Sequence, residues 1–106
     1  MEIIHSLSQM IQCAKVLGLP VKDVKNAQEF LEHHEFSLCF DTIVTQMYEY
    51  DIEINNQFYS MVSEIANKIN ISIEDYAFIK ELIRSESTIP KPVKDLLAQI
   101  IASLDN

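Results

Sequence analysis

The stretch LEHHEF, residues 31–36, contains the side chains with the clearest capacity for chemistry. Two histidines, His33 and His34, stand between Glu32 and Glu35. Imidazole and carboxylate groups bind metals and transfer protons, so the stretch suggests a metal site or an acid–base pair. A binding surface and a simple bend between two helices are the alternatives.

The spacing within this stretch gives metal chemistry little support. Di-metal sites in four-helix bundles use Glu-x-x-His pairs, whereas this stretch offers Glu29-x-x-Glu32 and Glu32-x-x-Glu35. The adjacent histidines would point about 100° apart on a helix, which hinders chelation of one ion. A metal-dependent enzyme or metal sensor that uses Glu29, Glu32, His33 and Glu35 is the third alternative, and we expect no metal or cofactor.

Nucleophilic chemistry is no better supported. The chain has 1 glycine and therefore no Gly-rich phosphate-binding loop. Cys39 lies between Leu38 and Phe40, which predicts a small buried residue rather than a catalytic thiol. Cys13 and Cys39 form no Cys-x-x-Cys pair, which favours two free buried thiols over a disulfide. We therefore expect a protein that is not an enzyme.

Hydrophobic residues recur at helical spacing in six segments, and no segment alternates in the manner of a strand. The first covers 3–17 and ends before Gly18, a residue suited to a helix C-cap. The second begins near Asp23, which can serve as its N-cap, and the third covers 36–50.

The second half of the chain continues this pattern. Asn55 or Asn56 can cap the fourth segment, and Ser72 opens the fifth with a capping-box-like sequence. The apolar face expected for the fifth consists of Tyr76, Ile79, Leu82 and Ile83. Pro92 suits the first turn of the sixth, because the amide hydrogen that proline lacks has no partner there. Short connectors then predict one all-α domain over residues 1–106, a compact bundle of five to six antiparallel helices.

The net charge of −8 is unevenly distributed along the chain. All eight lysines and arginines lie outside residues 26–67, and that window contains eight carboxylates. Residues 1–25 carry three basic and two acidic groups, and residues 68–106 carry five basic and six acidic groups. Such an acidic field speeds encounter with a basic partner and repels nucleic acid. The simpler interpretation of the same charges is a solvated face of an acidic protein.

Aromatic residues flank the acidic connector between the third and fourth segments. Of Tyr48, Tyr50 and Tyr59, we expect one in the core and two at the surface, where aromatic rings serve as interface anchors.

No apolar run is long enough to cross a membrane, and the N-terminal residues do not resemble a signal peptide. We therefore expect a cytoplasmic protein, a monomer or weak dimer, with no nucleic-acid or membrane partner.

A further sequence pattern covers residues 29–69. The pattern consists of Leu31-Glu32-His33, Glu35-Phe36, Asp41 and Met47-Tyr48-Glu49. It is similar to the central region of immunity proteins from Maf and contact-dependent growth-inhibition polymorphic-toxin systems. His34 stands where the family pattern leads us to expect Gly, and Phe36 where we expect Trp.

The resemblance implies an inhibitor that binds the C-terminal toxin domain encoded by the adjacent gene. Such toxins are often nucleases, whose basic clefts an acidic face would complement. The interface that we expect comprises Glu32, Glu35, Phe36, Asp41, Tyr48, Glu49, Tyr50, Asp51 and Glu53. The alternative is a small helical adaptor or regulatory domain that binds a basic segment of a host protein.

For LEHHEF itself, these observations favour a bend between the second and third helices. Leu31 and Phe36 would hold the two helices together, and Glu32 and Glu35 would lie at the acidic surface. One histidine in the turn would hydrogen-bond a carbonyl at the helix end.

Overall fold

The computed structural model describes residues 2–105, and the backbone over this range is all-α. Five α-helices and three short 3₁₀ helices make up the described structure. The α-helices are α1 (Ile3–Leu17), α2 (Val21–Glu32), α3 (Phe36–Glu49), α4 (Asn56–Lys68) and α5 (Lys91–Ala102), and the 3₁₀ helices are Ile73–Asp75, Ala77–Leu82 and Ser103–Asp105. The predicted helical bundle is therefore confirmed.

The ends of α1 depend on local capping. The carboxylate of Glu2 accepts hydrogen bonds from the backbone N–H groups of Ile4 and His5, each at 2.9 Å. Gly18 ends the helix with φ at 120°, in the left-handed region that glycine adopts without steric penalty, and its N–H bonds to carbonyl oxygens in the last turn. Both ends of the segment predicted over 3–17 are confirmed.

The start of α2 differs from the prediction. The helix begins at Val21, with Pro20 as its N-cap residue, so Asp23 lies inside the first turn and does not cap it. Pro20 has φ at −56°, and its carbonyl accepts from the N–H groups of Asp23 and Val24. Asp23 is only 1% exposed, and its carboxylate oxygens have no hydrogen-bond partner among the described residues.

The start of α4 is set by an asparagine cap. The Oδ1 of Asn55 accepts from the N–H of Phe58 at 2.8 Å, which confirms Asn55 rather than Asn56 as the cap. In α5, Pro92 lies in the first turn as predicted. Both helices therefore begin for the local chemical reasons that the sequence indicates.

The fifth predicted segment folds as 3₁₀ turns rather than as an α-helix. Its apolar residues Tyr76, Ile79 and Leu82 are buried, as expected, but they recur every three residues. A period of three matches the 3₁₀ helix, in which residues i and i+3 lie on the same side. The segment ends where Ile83 pairs with Ile54 in an isolated parallel bridge, and the N–H of Ile54 donates to the carbonyl of Leu82 at 3.0 Å.

One apolar cluster draws on every α-helix and on the longest 3₁₀ helix. Its largest fully buried side chains are Leu7, Met10, Ile11, Phe40, Ile43, Met47, Ile54, Phe58, Ile65, Ile79, Leu82 and Leu97. The two cysteines are buried in the same cluster and are free, as predicted. Over the described residues, no helix combines the length and apolar character needed to cross a bilayer.

Candidate partner-binding surface

The LEHHEF stretch is the bend between α2 and α3. Helix α2 ends at Glu32, and the Nδ1 of His33 donates to the carbonyl oxygen of Glu29 at 2.8 Å. His34 has φ at 57°, a left-handed conformation that favours glycine, and its ring lies 5.7 Å from that of Phe36. The predicted bend and its histidine hydrogen bond are both confirmed, and the Gly expected at position 34 matches this backbone conformation.

The same geometry bears on the metal hypothesis. A carbonyl oxygen only accepts, so the Nδ1 of His33 carries the proton and Nε2 is the ring nitrogen that keeps a free lone pair. Among the side chains that the structure describes, no three from His, Cys, Asp or Glu group closely enough to hold an ion. Glu32 and Glu35 are both exposed, in agreement with the surface position predicted for them.

The outer face of α3 carries apolar and acidic side chains in one row. Leu38, Asp41, Thr45 and Tyr48 follow one another at intervals of three or four residues, so they share a side of the helix. Leu38 is 47% exposed and Tyr48 is 40% exposed, although both are large apolar or aromatic residues. We call this row, together with Glu49, the α3 face.

Tyr48 is held in place by the 3₁₀ segment that packs beside α3. Its ring meets that of Phe78 edge to face, with centroids 5.1 Å apart. Its hydroxyl donates to the carboxylate of Glu81 at 3.4 Å. An exposed aromatic residue supported in this way loses little side-chain entropy on binding, which suits an interface anchor.

A groove of about 510 Å³ lies between the α3 face and α2. Its lining consists of Asn26, Glu29 and Phe30 from α2 and Leu38, Asp41, Thr42, Thr45 and Gln46 from α3. This lining combines two carboxylates with neutral polar groups and two large apolar side chains, and it contains no lysine, arginine or histidine.

Asp41 differs electrostatically from an ordinary surface carboxylate. Partial burial, followed by repulsion from the carboxylate of Asp75, raises the pKa of Asp41. Both causes disfavour the ionised form, and a cation placed beside Asp41 would counteract them. The groove therefore holds a carboxylate whose charge is incompletely compensated within the chain.

The connector after α3 is already engaged by the chain itself. Arg84 pairs with Asp51, with Nη2 to Oδ1 at 2.8 Å, and it also donates to the Asp51 carbonyl oxygen. Glu53 is 8% exposed, and its Oε1 accepts from the N–H of Thr88 at 2.9 Å and from the Thr88 hydroxyl at 2.5 Å. Glu53 was predicted to face a partner, but its carboxylate instead ties the connector to the loop before α5.

The fold also changes the charge pattern that the sequence indicated. Residues 26–67 contain no lysine or arginine, yet Arg84 lies beside Asp51 and the Nζ of Lys80 lies 5.2 Å from the centre of the Tyr59 ring. Tyr48 and Tyr50 are exposed as predicted, and Tyr59 is half-buried against the core with its hydroxyl enclosed. The acidic surface is therefore interrupted at the connector.

The predicted interface residues fall into groups that α3 separates. Asp41, Tyr48 and Glu49 share the outer side of the helix. The bend residues Glu32, Glu35 and Phe36 lie at one end, and Tyr50, Asp51 and Glu53 lie at the other. At 1.5 Å per residue, the 14 residues of α3 place the ends about 20 Å apart.

Sequence reasoning missed Leu38, Asn26 and Glu29 as surface neighbours of Asp41. Leu38 is next to the apolar residues Cys39 and Phe40 in sequence, but it lies away from the buried stripe of Phe40, Ile43 and Met47. The position of Leu38 outside this stripe was the sequence signal that could have predicted its exposure.

Comparison of the chain with protein-family models, with curated proteins and with solved structures found no match in any of the three.

Proposed function

We propose that this chain is an immunity protein that neutralises a toxin domain, a nuclease, by covering its basic active-site cleft with the α3 face. The observation that carries the proposal is the exposure of Leu38 and Tyr48 beside Asp41 and Glu49 on one side of a single helix. Apolar anchors surrounded by carboxylates are the composition expected of a surface that binds a basic protein. The sequence resemblance to immunity proteins supports the same function.

The mechanism is steric and electrostatic occlusion. A nuclease holds phosphates in a cleft rich in lysine and arginine, and carboxylates placed there compete with the substrate for those groups. Asp41 and Glu49 supply such carboxylates, while the ring of Tyr48 and the side chain of Leu38 supply desolvated area. The bend residues Glu32 and Glu35 extend the acidic surface at one end of α3.

The test is calorimetric titration of the protein against the C-terminal domain encoded by the adjacent upstream gene, together with growth rescue. We expect tight binding that weakens at high salt, because the salt screens charges at the rim. Asp41→Lys should weaken binding on the order of 30-fold, equivalent to about 2 kcal/mol. It should also abolish rescue.

The matched control is Glu86→Lys, which makes the same change of charge in the exposed loop before α5. It should leave binding and rescue nearly unchanged, because Glu86 lies outside the α3 face. Equal losses in the two variants would mean that only net charge matters and would contradict a role for the α3 face. Absence of binding and rescue in the unmodified protein would contradict the immunity function, and binding to several related basic proteins would favour the adaptor alternative.

A further inference from the structure

The groove between α2 and α3 has the dimensions of a binding site for a projecting group. Its volume of about 510 Å³ lies within the roughly 300–1,000 Å³ range of small-molecule sites. It exceeds what a single side chain fills, so it also has room for the neighbouring chain that presents such a group. The groove borders the α3 face through Leu38, Asp41 and Thr45, so a partner bound to that face also lies next to the groove.

Charge selects the kind of group that the groove accepts. Glu29 lines the α2 side and Asp41 the α3 side, and neither forms an ion pair with any residue in the range 2–105. Partial burial and the carboxylate of Asp75 already work against the charge of Asp41. A cation in the groove would be attracted by both lining carboxylates and would relieve that repulsion.

The remaining lining distinguishes arginine from lysine. Phe30 is half-buried and Leu38 is 47% exposed, so both offer apolar surface to a methylene stem. A guanidinium group is planar, presents five donors in a fixed fork and stacks on aromatic rings. The side chains of Thr42 and Thr45 add oxygen acceptors for donors that the carboxylates leave unpaired.

We infer that the α2–α3 groove receives an arginine side chain of the partner. The guanidinium lies between Glu29 and Asp41, and the stem lies along Phe30 and Leu38. This inference rests on the proposed function for the identity of the partner, a basic toxin domain. The binding chemistry of the groove is a property of this chain and is tested without the toxin.

The experiment titrates the isotope-labelled full chain with the peptide acetyl-Gly-Arg-Gly-amide and follows backbone amide shifts by NMR. The control peptide replaces arginine with citrulline, which has nearly the same shape but no charge. We expect saturable shifts confined to the groove and affinity for the arginine peptide about tenfold or more above that for citrulline. The carboxyl carbon of Asp41 should titrate at lower pH when the arginine peptide is bound, because a nearby cation stabilises the carboxylate.

Two variants localise the effect. Asp41→Asn should remove most of the preference for arginine over citrulline, and Glu86→Gln should retain it. Equal binding of the two peptides, shifts outside the groove or no saturable shift would overturn the inference. Equal affinity for a lysine peptide would overturn the assignment of arginine. If the arginine peptide binds as expected and the upstream toxin domain does not, the groove assignment holds and the proposed function fails.

Discussion

Glu53 and Asp41 are acidic residues from the same stretch without lysine or arginine, yet their surroundings act on them in opposite directions. Hydrogen bonds from the side chains of Thr88 and then Ser87 lower the pKa of Glu53. Partial burial and the carboxylate of Asp75 raise the pKa of Asp41. Hydrogen bonds within the chain thus stabilise the ionised form of Glu53, whereas an external cation would stabilise the ionised form of Asp41.

The hydrogen bonds of Glu53 predict a pH-dependent contribution to stability. A lowered folded-state pKa means that Glu53 stabilises the protein above its ordinary pKa of about 4.3, and that this contribution is lost as pH falls through the folded value. Glu53→Gln should therefore lower the free energy of unfolding by about 1 kcal/mol at neutral pH. Urea unfolding between about pH 7 and pH 3 should show the difference from the unmodified protein shrinking toward acid.

Glu86→Gln is the control for this prediction, because Glu86 is exposed in the same loop. It should change neither the stability nor its dependence on pH. A Glu53→Gln protein whose stability differs from the unmodified one by a constant amount at every pH would show that the carboxylate charge does not contribute.

At the scale of elements, the bend between α2 and α3 brings these two helices side by side, and they form the two walls of the groove. Three residues connect Glu32 to Phe36, and His34 reverses the chain direction with φ at 57°. Asp51 and Asn70 have similar positive φ values, of 51° and 60°, where α3 and α4 end. Asp, Asn and His are the non-glycine residues that tolerate this region best. The three helix ends therefore use residue types that adopt the left-handed conformation at low energetic cost without glycine.

Replacement of His34 tests the strain at the bend. His34→Val should lower the free energy of unfolding by about 1–2 kcal/mol, because a β-branched side chain clashes in the left-handed conformation. His34→Asn should have a smaller effect, since Asn tolerates the same backbone angles. Urea unfolding monitored by circular dichroism measures both. Equal losses in the two variants would assign the effect to the ring contact with Phe36 rather than to the backbone.

At the scale of the whole molecule, the two cysteines report on the integrity of the core. Cys13 in α1 and Cys39 in α3 are both fully buried in the same apolar cluster. Burial raises the pKa of each thiol to about 12. The thiolate is the reactive form, so both groups are protected by pKa as well as by lack of access.

We predict that neither thiol reacts until the core opens. With a disulfide reagent at about pH 8, labelling of the native protein should be at least about 1,000-fold slower than that of the unfolded chain. Both thiols should become reactive together, over the same range of urea concentration in which circular dichroism shows the protein unfolding. Cys13→Ala and Cys39→Ala assign the signal, and rapid labelling of either single-cysteine protein under native conditions would contradict a single cooperative core.

The sequence by itself determined the helical class, the extent of α1, the extent of α3 to within one residue, an asparagine cap for α4 at position 55 or 56, the α2–α3 bend and the burial of both cysteines. These features depend on local periodicity, capping chemistry and backbone preference, which act over a few neighbouring residues. Only the tertiary structure decided that Glu53 bonds to Thr88, that Arg84 reaches Asp51 and that Glu29 shares a groove with Asp41. These pairings join residues from different elements, and only packing of the elements brings them together.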